Sequence, residues 1–155
     1  MAATVIGMLG RCPEAEDVGQ ETFIRFYQSL EKFRGDSSVG TYLTRIAINL
    51  SLNELKRRRR KHLLFEAKSS DEEFDIPDME MPNAYDDEKE IVQRAIKKLE
   101  PKFRSVLVLR LMDGYSTRET AEILNLPTGT VLSRLTRAQK KLKKLLAPYF
   151  GERNE

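Results

Sequence analysis

The sequence predicts an all-α chain: two small helical domains joined by an acidic linker, the C-terminal one a helix-turn-helix. Three observations carry this. Apolar residues recur at three- and four-residue spacings along most of the chain, with no strand-like alternation. Turn chemistry falls between the periodic segments, at Pro13, Arg34-Gly35-Asp36-Ser37-Ser38, Pro101, Asp113-Gly114 and Leu126-Pro127-Thr128-Gly129. Charge divides into three blocks. Residues 1–61 carry 11 basic and 7 acidic side chains, residues 62–100 carry 5 and 12, and residues 101–155 carry 11 and 5. The net charge of +3 thus conceals two basic blocks around an acidic one, and basic blocks suit a polyanionic partner.

Within the first domain, placed at residues 1–65, Ala2–Leu9 is expected to be helical. Pro13 breaks that helix, and Glu14–Asp17 supply the acidic first turn of the next. This second helix is expected over Ala15–Lys32. Val18, Thr22, Phe26, Ser29 and Leu30 lie near one face, widened by Phe23, Ile24 and Tyr27. After the Arg34–Ser38 turn, one long helix is expected from Thr41 to Lys61. Arg45, Asn49, Asn53, Lys56 and Arg60 form a polar stripe along it, opposite Leu43, Ile46, Ala47 and Leu50. Asparagines in a basic stripe, beside a loop flanked by Phe33 and Tyr42, suit a nucleic-acid reader. Amides pair with base edges, cations attract phosphate and aromatic rings stack on bases. A solvated amphipathic helix with a basic end fits the same residues.

Residues 66–86 read as a flexible linker. Glu66, Asp71, Glu72, Glu73, Asp75, Asp78 and Glu80 alternate with Pro77 and Pro82, and such a composition buries little apolar surface. The second domain, 87–150, opens with a helix over Asp87–Leu99. Pro101 suits the first turn of a helix that ends at Asp113-Gly114. Ser116 or Thr117 caps a short helix, RETAEILN, which Asn125 closes in the left-handed conformation. The last helix spans Thr130–Leu146, with Val131, Leu135, Ala138, Leu142 and Leu145 on its inner face. Small Ala121 lets the two helices of the motif approach. Thr128, Thr130, Ser133, Arg134 and Arg137 then face outward near the helix N-terminus, the end that enters a major groove. Lys140, Lys141, Lys143 and Lys144 serve as phosphate contacts or as solvated charge. Duplex DNA binding is the reading favoured over a small bundle with a basic surface.

Several function classes are excluded. Cys12 and His62 are the only residues of their kinds, so neither an internal disulfide nor a Cys/His metal cluster can form. Gly-rich phosphate loops and nucleophile–base pairs are absent, which leaves no case for an enzyme, a cofactor or a small-molecule substrate. No apolar run is long enough to span a bilayer, and Met1–Gly10 is too short and lacks the basic leader of a secretion signal, so a cytoplasmic location without membrane insertion is expected.

The run AEDVGQETFIRFYQSLEKFRGD, followed by TYLTRIAINLSLNELKRRRRK, resembles region 2 of bacterial RNA polymerase sigma factors of the extracytoplasmic-function group of the sigma-70 family. The run LEPKFRSVLVLRLMDGYSTRETAEILNLPTGTVLSRLTRAQKKL resembles region 4 of the same group. The resemblance implies a promoter-specificity subunit with three working surfaces. Asp17, Gln20, Glu21 and Arg25 would bind core polymerase through the clamp helices of its β′ subunit, with the β subunit as a further partner. Phe33, Arg34, Ser37, Ser38, Arg45, Asn49, Asn53, Lys56, Arg57 and Arg60 would open the −10 element and hold its melted strand, with Asn49 contacting a base. Thr128, Thr130, Ser133, Arg134, Arg137 and Lys141 would read the −35 element as duplex. Leu132 stands where many relatives carry a basic residue. An anti-sigma factor is implied as a further partner. Relatives usually carry about one more helix ahead of the segment matching Met1–Gly10, so a region 2 without its first helix is expected.

Overall fold

The computed structural model describes residues 1–68 and 87–151, which form seven α-helices with no strand among the described residues. Most of the linker expected at 66–86 lies outside them. Its first three residues belong to a helix.

Helix α1 (Ala2–Leu9) leads through Gly10 to α2 (Pro13–Ser29). Cys12 is extended, Pro13 occupies the first turn, and Glu14 and Glu16 place negative charge at the positive end of the helix. The 3₁₀ turn Leu30–Lys32 finishes this segment. Helix α3 (Val39–Lys68) is 30 residues long and runs seven beyond the expected Lys61. Its start is set by Ser38, whose Oγ accepts from the Thr41 N–H at 3.1 Å.

Two expectations about helix faces need correction. On α2 the buried residues are Ala15, Val18 and Thr22, whereas Phe23, Ile24 and Tyr27 are 56%, 51% and 76% exposed. Leu30 is exposed as well. On α3 the buried line is Thr41, Thr44, Ala47, Ile48 and Ser51, while Leu43, Ile46 and Leu50 are only half-buried. Helix α3 packs on α1 and α2 and also on α6, so small polar residues are enclosed beside the apolar ones. Their hydroxyls are satisfied: Ser51 donates to the Ala47 carbonyl at 2.8 Å, and Thr44 pairs with the Tyr115 hydroxyl at 2.9 Å.

The second half comprises α4 (Glu88–Lys97), α5 (Pro101–Leu107), α6 (Thr117–Leu124) and α7 (Thr128–Phe150). Helix α5 continues as a π-helical segment, Val108–Met112. The segment closes with the Asp113 N–H donating to the Val108 carbonyl five residues back, at 2.9 Å. Residues Phe103 to Leu109 are all buried, which makes α5 the central helix. Ser116 caps α6 in a reciprocal box: its Oγ accepts from the Glu119 N–H at 3.1 Å, and the Glu119 carboxylate accepts from the Ser116 N–H at 2.7 Å. Hydrogen bonding to the Ser116 backbone N–H first, and to the Ser116 side chain second, holds the Glu119 carboxyl below the usual carboxylate range. Asn125 ends α6 at φ 52°, ψ 52°, in the left-handed region.

The two halves dock directly. Val5, Met8 and Leu9 of α1 and Ala47 and Ile48 of α3 share one core with Ile96, Leu99, Phe103, Leu107 and Val108. Gly7 makes the approach possible, since a Cβ there would lie 3.0 Å from both methyls of Val108. Polar ties surround this core. The Thr4 hydroxyl donates to Asp113 at 2.7 Å, and Arg104 donates to the Met8 carbonyl at 2.7 Å. Arg104 also donates to the Leu99 carbonyl at 2.9 Å and to the Lys97 carbonyl. Its guanidinium therefore sits at the negative ends of both α1 and α4, where a cation is favoured. Burial nonetheless pushes its pKa down to about 10, with nearby Arg58 adding to the effect. Burial likewise raises the Asp113 carboxyl, against the opposing pull of the Thr4 hydrogen bond.

Candidate nucleic-acid interface

Three surfaces emerge from this framework, two facing outward from helices and one partly consumed by docking. On α3, Asn49, Asn53, Lys56 and Arg60 are exposed along one stripe, as helical spacing requires. Arg45, first in the stripe, differs. It is half-buried against α6, where its Nη2 donates to the Glu122 carbonyl at 3.2 Å. Its Nε is buried without a partner. An unpaired buried donor costs free energy, so Arg45 is imperfectly housed in the docked arrangement.

The basic run at 57–61 divides by partner. Arg57 makes a two-point contact with Glu54 at 2.8 and 2.9 Å, which holds the Glu54 carboxyl below its usual range. Arg58 turns toward α2, donating to Glu54 at 3.1 Å, to the Cys12 Sγ at 3.2 Å and to Glu14 at 3.5 Å. It ties α3 to the start of α2. Arg59, Arg60 and Lys61 remain exposed.

In the loop before α3, Phe33 is half-buried in an aromatic cluster. Its ring centroid lies 5.1 Å from Tyr42 and 6.4 Å from Phe26. Tyr42, also half-buried, lies 6.0 Å from Phe26 and completes this cluster. Arg34 is exposed and Ser37 half-buried, while the Ser38 hydroxyl is engaged in capping α3.

On the outer face of α2, Asp17, Gln20 and Arg25 are exposed, and Glu21 pairs with Arg25 at 2.7 Å. Ile24 and Tyr27 continue the same face, although periodicity places them inward. Their large apolar side chains lie off the one line, Ala15, Val18 and Thr22, that the fold buries on α2.

In the helix-turn-helix, Ala121, Val131 and Val106 pack together with Leu124, Leu126 and Leu135. This fixes α7 so that Thr128, Ser133 and Arg137 are exposed and Thr130 and Arg134 half-buried. Lys141 behaves differently: its Nζ pairs with Glu100 at 2.6 Å and lies 4.7 Å from the Phe103 ring centroid. That pairing holds the Glu100 carboxyl low. Leu132 is 52% exposed on the outer face. Among the described residues, no group of three or more metal-ligating side chains occurs, and no helix is long and apolar enough to cross a membrane.

Comparison with known proteins agrees with this geometry. Residues 2–61 match the family model of sigma-70 region 2, and residues 89–142 match that of sigma-70 region 4. The RNA polymerase sigma-H factor of Pseudomonas aeruginosa is 36% identical, over 96% of this chain and 83% of its own length. The ECF RNA polymerase sigma factor SigW of Bacillus subtilis is 34% identical, over 90% of this chain and 79% of its own. Among solved structures, the sigma factor RpoE of Bartonella quintana, in complex with the anti-sigma factor NepR, shares the fold. The TM-score is 0.71 at 24% identity, covering 94% of this chain and 88% of that one. The chain belongs to the extracytoplasmic-function group of the sigma-70 family of RNA polymerase sigma factors.

Proposed function

We propose that this chain directs RNA polymerase to specific promoters, residues 1–65 opening the −10 element and residues 87–150 reading the −35 element, with residues 66–86 joining two separable units. The carrying observation is that both sigma modules occur in one chain, in family order, each exposing a face suited to its nucleic acid. Asn49 and Asn53, one turn apart, offer donor and acceptor groups to the bases of a melted strand, while Lys56, Arg59, Arg60 and Lys61 line its phosphates. Unstacking a base costs a few kcal/mol, which amide hydrogen bonds and stacking offset. Helix α7 offers Thr128, Ser133, Arg134 and Arg137 to the major groove. The mixed face of Asp17, Gln20, Glu21, Ile24 and Tyr27 suits docking to core polymerase, because a polar rim around exposed apolar side chains is the usual anatomy of a protein interface. The chemistry of transcription belongs to polymerase, and the protein acts in the cytoplasm.

The docked arrangement bears on how this works. Elements at −35 and −10 lie about 25 base pairs apart, which is roughly 85 Å of duplex. A globule of this length has a radius of gyration of about 15 Å, hence roughly 40 Å across. The docked halves cannot span that distance on a straight duplex, so they separate on the promoter, and Arg45 exchanges the Glu122 carbonyl for DNA. An anti-sigma factor would act by favouring the docked form.

The test adds purified protein to core polymerase and scores transcripts from a genomic library. Promoter-specific initiation is expected. Duplex binding without polymerase, and no new transcripts, would refute the proposal in favour of a stand-alone regulator.

A further inference from the structure

Leu132 is the most exposed large apolar side chain of α7, at 52%, and nothing in the fold accounts for it. Val131 beside it is fully buried, and Leu135 and Ala138 complete the inner face. Leu132 lies about 100° further round the helix, on the outer face with Gly129, Ser133 and Thr136.

The hydroxyls of that face are committed. Ser133 donates to the Thr130 carbonyl at 3.0 Å, and Thr136 donates to the Leu132 carbonyl at 3.0 Å. In this arrangement both hydroxyl hydrogens turn back onto the helix, and each oxygen faces outward as an acceptor only. Gly129 has no side chain, so from 129 to 136 the outer face presents an isobutyl group and a threonine methyl one turn apart. The donors, Arg134 and Arg137, lie together on the other side of the helix, about 140–160° round from Leu132.

The major groove presents acceptors, donors and one apolar feature, the C5 methyl of thymine. Arginines match the paired acceptors of guanine. An isobutyl group exposed on that face has one complementary partner. We propose that Leu132 is a specificity-determining residue that selects thymine within the −35 element by packing on its C5 methyl, with the Thr136 methyl extending the contact. This rests on the duplex-reading role proposed for residues 87–150.

The test uses the full chain bound to core polymerase and a duplex library randomised across the −35 segment. Wild type is expected to enrich a thymine at one defined position. Replacing that thymine by uracil, which removes only the C5 methyl, should weaken binding about fourfold, the equivalent of one buried methyl group. In Leu132→Ala the thymine and uracil duplexes should bind alike, and Leu132→Arg should shift the preference at that position toward guanine. Because the side chain is exposed, both variants should melt at the wild-type temperature. Selected duplexes that show no thymine–uracil difference in wild type would overturn the proposal, as would a difference that persists in Leu132→Ala. Loss of polymerase binding in Leu132→Ala would overturn it too, by assigning Leu132 to a protein contact. If no duplex sequence is enriched at all, the role of residues 87–150 itself is wrong.

Discussion

Replacing Arg104 by methionine tests whether a buried cation holds the two halves together. Arg104 as a residue is 7% exposed, and its guanidinium donates to the carbonyls of Met8, Lys97 and Leu99. Methionine fills similar space and offers no donor, so three carbonyls at the ends of α1 and α4 lose their partner. A hydrogen bond from a charged donor contributes about 1.5–3 kcal/mol, so three contribute roughly 4.5–9 kcal/mol. Against this stands the cost of burying the charge. A guanidinium pKa pushed down to about 10 corresponds to about 3 kcal/mol. The net loss on substitution is therefore about 1.5–6 kcal/mol, centred near 4 kcal/mol. In urea, at a slope of about 2 kcal/mol/M for a domain of this size, the midpoint should fall by about 2 M. Far-UV circular dichroism of the full chain at pH 7 provides the readout, with Arg104→Lys as an intermediate that keeps the charge and loses the planar fork. A midpoint change under about 0.5 M, or a rise, would refute the reasoning. It would mean that burying the charge costs as much as the bonds return, as happens for some buried ion pairs.

Other perturbations separate the remaining surfaces. Asn49→Ala should impair promoter opening, read by permanganate footprinting, while binding of the −35 duplex is retained; equal loss of both would remove Asn49 from the melted-strand site. Ser116→Ala breaks the capping box of α6 and should cost about 1 kcal/mol, lowering the melting temperature by about 2–4 °C. Asp113→Asn should stabilise the fold at pH 7, because burial raises the Asp113 carboxyl and its charged form is the costly one. The sign follows from linkage: a raised acid favours the fold below its unfolded value, and that advantage disappears as pH rises through the folded one. The stability gap between D113N and wild type, measured by urea titration, should therefore narrow from pH 7 toward pH 4. A gap of equal size at both ends would place the carboxylate in water.

Much of this protein is written locally. Pro13 and Pro101 open their helices, Ser116 caps α6 and Asn125 closes it, because each acts on backbone groups within a few residues. The region 2 and region 4 motifs are legible for the same reason: short runs of side chains at helical spacing. The exposed amides of Asn49 and Asn53 follow from periodicity alone. What the sequence left open is which surfaces meet. Helical period assigns a residue to a face and does not say what covers it, so it turns Phe23, Ile24 and Tyr27 inward although they face solvent. Thr44 pairs with Tyr115 across 71 positions, and Arg104 with Met8 across 96. Those bonds depend on two helical units presenting complementary surfaces, and no local pattern encodes that match. The sequence by itself determined the helices, their caps and the two sigma modules. Only the tertiary structure decided that the modules share a core, that Arg45 is spent on the Glu122 carbonyl, and that Leu132 stands uncovered on α7, because each is a property of surfaces brought together from distant parts of the chain.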